Sequence, residues 1–346
     1  MRRDGLHNGI AGLREARRGH GGSAQGTHPS IIGVALVVGA LLMICPAQRA
    51  SADFFSDPVK FSEKKPLNPF VPFAADSEYT TVNAGLKIYE MKDESKIQWA
   101  KVTKQTGPKQ YVISFKKTAS GTPMYVLPWK KDCGFRMTLT PHDGVDPDFF
   151  VTAPLNGCAF FVDGDPKAPT VYHFNANSVG GSLAGLSGKK LEKALNKKRN
   201  DMKSRFKKAR KKYPAEGETG SLARWVHFKD YSTLLDPEQK EKWFKQLRTK
   251  LEIDENAEDV MDGDKLVARP SDPFCEAVAT VFGVRDKKTK EWTFFVQPRY
   301  RVGKHALRTD GRPTDPRDWV PPRAETQWLG MSCWAFYPKG VGDTIK

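Results

Sequence analysis

Val151-Thr152-Ala153-Pro154-Leu155-Asn156-Gly157-Cys158-Ala159-Phe160-Phe161-Val162 leads into Asp163-Gly164-Asp165-Pro166-Lys167-Ala168-Pro169 and then Thr170-Val171-Tyr172-His173-Phe174. β-Branched and aromatic runs on either side of a Gly-, Asp- and Pro-rich connection predict two short strands lying side by side in one sheet. That pairing sets Cys158 at the mouth of one strand and His173 near the end of the next. On neighbouring positions an imidazole can take the proton of a thiol, which makes the pair a candidate nucleophile and base. Gly157 has no Cβ and suits a tight turn just before the cysteine, while the apolar run after it anchors Cys158 in a core.

Working outward, the same short β-prone runs recur with polar or Pro/Gly punctuation at 80–91, 110–116, 124–127, 134–139, 149–152, 155–162 and 170–174. They return near the carboxyl end at 275–284 and 292–296, joined by a charged hairpin connection, and at 327–337. The predicted fold class is α+β and mainly β, an antiparallel sheet or β-sandwich flanked by helices, in one domain over residues 79–346. A helical excursion over 187–252 interrupts the strands. Its second helix runs from Pro237 to Leu251 with Trp243, Phe244, Leu247 and Leu251 on one face, and the acidic stretch 254–264 reads as a loop.

Residues 1–52 read as a secretory signal: a basic start with Arg2, Arg3, Arg14, Arg17 and Arg18, an uncharged apolar run over 31–44, and the small-residue site Ala50-Ser51-Ala52. The run is shorter than the roughly 20 apolar residues of a spanning helix, so a secreted protein, periplasmic or extracellular, is expected. Residues 53–78, with Pro58, Pro66, Pro69 and Pro72, read as an extended N-terminal arm. Cleavage removes Cys45 and leaves Cys133, Cys158, Cys275 and Cys333 for an oxidising compartment. Position along the chain suggests two disulfides, Cys133–Cys158 and Cys275–Cys333, as the structural alternative to a free nucleophile. With no CxxC pair, a structural zinc site is not expected.

The net charge of +16 is concentrated. Residues 189–212 hold thirteen Lys or Arg against only Glu192 and Asp201, and without this segment and the signal the body is nearly neutral. Leu191, Leu195, Met202, Phe206, Ala209 and Tyr213 recur at helical spacing, interrupted near Lys198, and Pro214 supplies a stop. The commoner role of such a segment is a solvated face docked by a narrow apolar stripe. Its functional alternative is contact with an anionic membrane surface or an acidic partner. Nucleic acid is a poorer match, because aromatic platforms and recognised binding motifs do not accompany the charge.

Four histidines follow the signal, at 142, 173, 227 and 305. His173 is the one on a strand next to that of Cys158, and His142, in the loop Thr140-Pro141-His142-Asp143-Gly144, is a back-up base. A strand histidine is more often a hydrogen-bonded structural residue than a catalyst. The element Leu155-Asn156-Gly157-Cys158, with His173 fifteen residues later on Val171-Tyr172-His173, resembles the LSGC-type catalytic motif of the glutamine deamidase toxins, the family of the cytotoxic necrotizing factors and Burkholderia lethal factor. Asn156 stands where that family has serine.

The resemblance implies a β-sandwich core flanked by helices, with Cys158 as nucleophile and His173 as base and acid. It also implies a third residue ahead of the cysteine that orients the histidine, at Thr152. The expected activity is therefore a cysteine–histidine amidohydrolase acting on a protein substrate with a reactive glutamine, with neither metal nor organic cofactor. The alternatives are a non-enzymatic disulfide-bonded binding protein and a peptidase or acyltransferase using the same pair.

Overall fold

The computed structural model describes residues 54–345 apart from 72–73, 106–109, 177–187, 215–222, 233–236, 251, 255, 257, 259, 263–264, 269–273, 304–326, 330–331 and 339–342. The expected signal over 1–52 and His305 lie outside the described residues. Among the described residues no helix is long and apolar enough to cross a membrane.

The strands, in chain order, are β1 (Leu67–Pro69), β2 (Tyr79–Asn83), β3 (Ile88–Met91), β4 (Ile97–Lys104), β5 (Tyr111–Lys116), β6 (Thr122–Leu127), β7 (Gly134–Thr138), β8 (Phe149–Thr152), β9 (Ala159–Asp163) and β10 (Thr170–Phe174). They continue with β11 (Ala223–Val226), β12 (Val260–Asp262), β13 (Lys265–Ala268), β14 (Phe274–Arg285), β15 (Trp292–Gly303), β16 (Gln327–Leu329), β17 (Trp334–Tyr337) and β18 (Asp343–Ile345). The helices are α1 (Pro58–Lys64), α2 (Asp93–Lys96), α3 (Gly188–Lys212), α4 (Phe228–Ser232) and α5 (Pro237–Lys250). One large sheet has the order β1-β5-β4-β6-β8-β14-β15-β16, with β17 also on β15, and the other has the order β18-β11-β9-β10-β7-β3-β2. The fold is α+β and mainly β, as the strand pattern predicts.

The two sheets share one core. Phe150 and Phe294 of the first meet Phe160 of the second at ring-centroid distances of 5.5 and 5.9 Å. Leu127, Val281 and Trp292 from one sheet join Phe135, Val162 and Val171 from the other in the same buried cluster. This is sheet-on-sheet packing by the inner half of each alternating strand.

Three pairings, β1–β5, β3–β7 and β6–β8, are parallel, so the sheets are mixed rather than purely antiparallel. For β6 and β8 the reason lies in the path. The chain leaves the first sheet after β6, runs through β7 in the second, and returns as β8 in the original direction. A parallel neighbour requires such a crossover.

On the outer face of the second sheet, Phe161, Tyr172, Phe174 and Trp225 pack under α3 through Met202, Phe206 and Ala209. The packed stripe of α3 runs Ala194, Lys198, Met202, Phe206 at four-residue steps, the spacing of one helix face. Arginines point back to the body. Arg210 pairs with the fully buried Asp163 at 2.7 Å, Arg205 donates to the carbonyl of Asp132 at 3.0 Å, and Arg199 lies over Trp225. Lys193, Lys197, Lys207, Lys208 and Lys211 face solvent.

The stretch read as an extended arm is instead built into the fold. Asp57 caps α1 by accepting from the N–H of Lys60 at 3.0 Å, and Pro58 takes the first helical position, where no N–H is needed. Phe54, Phe61 and Leu67 are buried against the outer face of the first sheet. The expected run 80–91 divides into β2 and β3 at a turn over 84–87, and the final run divides into β16 and β17.

The proposed disulfides are not formed. Cys133, Cys158 and Cys333 are free thiols, and the side chain of Cys275 lies outside the described residues. Register explains the first pair. Gly134 pairs with Phe174 and Phe174 with Ala159, so Asn175 lies between Cys133 and Cys158. Two strand spacings of about 4.8 Å exceed the Cα separation a disulfide tolerates.

Candidate active site

The chain crosses between the sheets directly ahead of the candidate nucleophile. Thr152 ends β8 in the first sheet, Leu155 forms a two-hydrogen-bond bridge with Ala279 at 2.7 and 2.9 Å, and β9 begins in the second sheet at Ala159. Gly157 turns the chain with φ +78°, a left-handed value that favours glycine. A Cβ there would meet nothing within 4 Å, so the backbone angle alone favours glycine. Cys158 follows on the inner side of the sandwich, in the core cluster that holds Phe160 and Val162.

β10 presents its residues alternately. Tyr172 and Phe174 face α3 while Val171 lies in the inter-sheet core, and His173, opposite Phe160, shares that inner face. Across the sandwich, Thr152 Oγ1 lies 2.7 Å from His173 Nδ1 and 2.9 Å from the carbonyl oxygen of Leu127 at the end of β6. Two oxygens this close need a proton between them, and the threonine hydroxyl has only one to give. It goes to Leu127, so Thr152 accepts from Nδ1–H. Nε2 is then the unprotonated, basic nitrogen of His173, and it is buried without a hydrogen-bond partner. The structure therefore sets Thr152 against His173 and places Cys158 on the same inner side, opposite Asn175 and two residues along from His173, with no hydrogen bond between Cys158 and His173 among the described residues.

The thiol itself is held by other groups. Asn175 Nδ2 donates to Cys158 Sγ at 3.1 Å, and the carbonyl of Asn156 lies 4.0 Å from the sulfur. Tyr231, fully buried on α4, accepts from the N–H of Gly157 at 2.9 Å and donates to the carbonyl of Cys158 at 3.2 Å, clasping the turn that carries the nucleophile. Asn175 had a legible signal, since it sits two residues beyond His173 on the same strand parity. Tyr231 had none, because its contact spans 73 residues of sequence.

Burial sets the resting charges. Cys158 is 3% exposed and His173 1%. Loss of solvent pushes the thiol up to about 11, opposed by the Asn175 side-chain hydrogen bond, a backbone hydrogen bond of Asn156 and the Lys198 charge. The same loss pushes the imidazole down to about 3. Both shifts oppose moving the proton from sulfur to imidazole in this closed arrangement. The resting pair is thus a neutral thiol and a neutral base.

His142 is elsewhere. It forms a bridge with Val145, lies 3.4 Å from Asp143, and makes no contact with Cys158 or His173. His227 rests against Trp225 and accepts from the N–H of Lys229, a structural role. Among the described residues no group of three or more His, Cys, Asp or Glu side chains is arranged to hold a metal ion. Comparison with protein-family models and with curated protein sequences returns no match, so the functional reading rests on the geometry.

Proposed function

We propose that the protein is a secreted cysteine–histidine amidohydrolase that deamidates glutamine side chains of a protein substrate. One observation carries this reading: the hydroxyl of Thr152, committed to Leu127, fixes His173 with its proton on Nδ1 and its lone pair on Nε2, on the same inner face as the unbridged Cys158. Productive chemistry requires these buried atoms to become accessible, which restores solvent or substrate polarity and narrows the gap between thiol and imidazole. Nε2 then takes the thiol proton as sulfur bonds to the carboxamide carbon. Collapse of the tetrahedral intermediate breaks the C–N bond, and Nε2–H gives its proton to the departing ammonia. Water, deprotonated by Nε2, attacks the thioester; sulfur leaves and is reprotonated, and glutamate stands in place of glutamine.

The solvent face of α3 supplies the second part of the proposal. Its outward lysines, with Arg205 and Arg210 turned inward to the body, form a rod-like cationic surface suited to an anionic membrane. The apolar stripe is already used against the sheet, so this attachment is electrostatic and does not insert.

Full burial of both reactive atoms favours one rival, a non-enzymatic protein whose Cys158 and His173 only fill the core. Mass spectrometry of candidate target proteins decides between them. Wild-type protein is expected to add one dalton to a specific glutamine and Cys158→Ser to add none. No gain with either protein favours the rival, and backbone cleavage identifies a peptidase.

A further inference from the structure

We propose that Asn175 is the positioning residue of the candidate nucleophile, aiming the Cys158 sulfur and favouring its thiolate, so that His173 is left to move protons. The inference deepens the amidohydrolase reading and rests on it for its functional meaning.

Asn175 follows β10, is 1% exposed, and has its backbone N–H bound to the carbonyl of Cys133 at 2.9 Å. Its side-chain oxygen accepts from the N–H of Asp132 at 3.1 Å. That bond settles which end of the amide faces the sulfur: with Oδ1 committed to a donor, the NH2 group points at Sγ, 3.1 Å away. An N–H aimed at sulfur binds the anion more strongly than the thiol, since hydrogen bonds to charged acceptors are about twice as strong as neutral ones.

The support for Asn175 reaches the basic helix. Asp132 sits at φ +59° in the loop between β6 and β7, and its carbonyl accepts from Arg205 Nη1 on α3 at 3.0 Å. Four residues before Met202, Lys198 occupies the packed stripe of the same helix, 8% exposed, where the pattern calls for an apolar side chain. Its charge acts on both Asp132 and Cys158. The break in the apolar stripe near Lys198 thus falls where the helix approaches the nucleophile.

The groups facing Cys158 divide by role. Asn175 just after β10 and Lys198 from α3 favour the thiolate, Tyr231 from α4 holds the backbone of the turn, and His173 keeps Nε2 unbound. The sulfur is oriented by an amide rather than by the base.

The test is the pH titration of Cys158 by NMR of the full chain carrying 13Cβ-labelled cysteine, with the signal assigned by its loss in Cys158→Ser. Asn175→Asp keeps an oxygen for the N–H of Asp132, and so keeps the loop, but replaces the donor facing sulfur with a negative oxygen. It is expected to lower the thiolate fraction at a given pH by about tenfold or more. Asn175→Ala should lower it less, and His173→Gln least. An unchanged Cys158 titration in Asn175→Asp, or a larger displacement in His173→Gln than in Asn175→Asp, overturns the proposal. Should Asn175→Ala fail to fold, Asn175→Asp carries the test. The readout needs no substrate, so its failure is distinguishable from an absence of deamidation.

Discussion

The two faces of β9 and β10 differ by one residue of register and serve different ends. Outward, Phe161 stacks on Phe206 and Trp225 at 4.5 and 4.9 Å and the surface closes under α3. Inward, Cys158, His173 and Asn175 place polar, reactive groups among Phe135, Phe150 and Phe160. Alternation along a strand allows this division without any extra element. The apolar face supplies rigidity, and the polar face uses it to hold Asn175 within hydrogen-bond distance of Cys158 and Thr152 within that distance of His173.

The largest expected effect is on the outer face. Phe161→Ala should cost about 3–5 kcal/mol of stability, read by denaturant unfolding, while the folded fraction keeps its activity per molecule. An equal loss of specific activity would mean that the two faces are not separable.

On the inner face the expected signature is pH-dependent. His173 stays neutral in the folded protein down to about pH 3 but takes a proton near 6.5 when unfolded. The unfolded chain therefore binds more protons between these values, and stability is fully present above about 6.5 and lost as pH falls toward 3. The slope is about 1.4 kcal/mol per pH unit from this group. His173→Gln should flatten the unfolding profile in that window, and an unchanged slope would contradict a buried neutral imidazole.

Thr152→Val keeps the shape and removes the hydroxyl. It should cost about 1–3 kcal/mol by stranding Nδ1–H, while the Leu127 carbonyl keeps the N–H of Ala153, and should reduce deamidation through kcat more than through KM. Thr152→Ser should restore both.

The smallest effect on stability is expected on α3. Reversing Lys207, Lys208 and Lys211 to Glu should change unfolding by less than about 0.5 kcal/mol at each site. The same triple variant should abolish sedimentation with anionic vesicles and leave turnover of a small soluble amide intact. Retained vesicle binding would remove the membrane role.

What the sequence made legible follows from the range of each interaction. The turn-rich 163–169 marks β9 and β10 as partners, and strand parity then puts Cys158 and His173 on one face, so the centre of the site needs only local reading. The basic helix announces itself by charge and by an apolar period that fails at Lys198. Features set by distant chain escape: β11 has only four residues and gains its meaning from β9 and β18, and the Leu127 carbonyl that settles the His173 tautomer belongs to another sheet. Pro58 misleads for a different reason, since proline punctuates loops and also opens helices. The antiparallel expectation gives way in three pairs because connections that change sheets cannot be read from strand composition.

Nitrogen-15 NMR of the His173 ring in the full chain at pH 7 addresses the arrangement on which the inner face depends. The predicted result is a neutral ring with its proton on Nδ1, lost or redistributed in Thr152→Val. A ring protonated on Nε2, or carrying both protons at that pH, would contradict it.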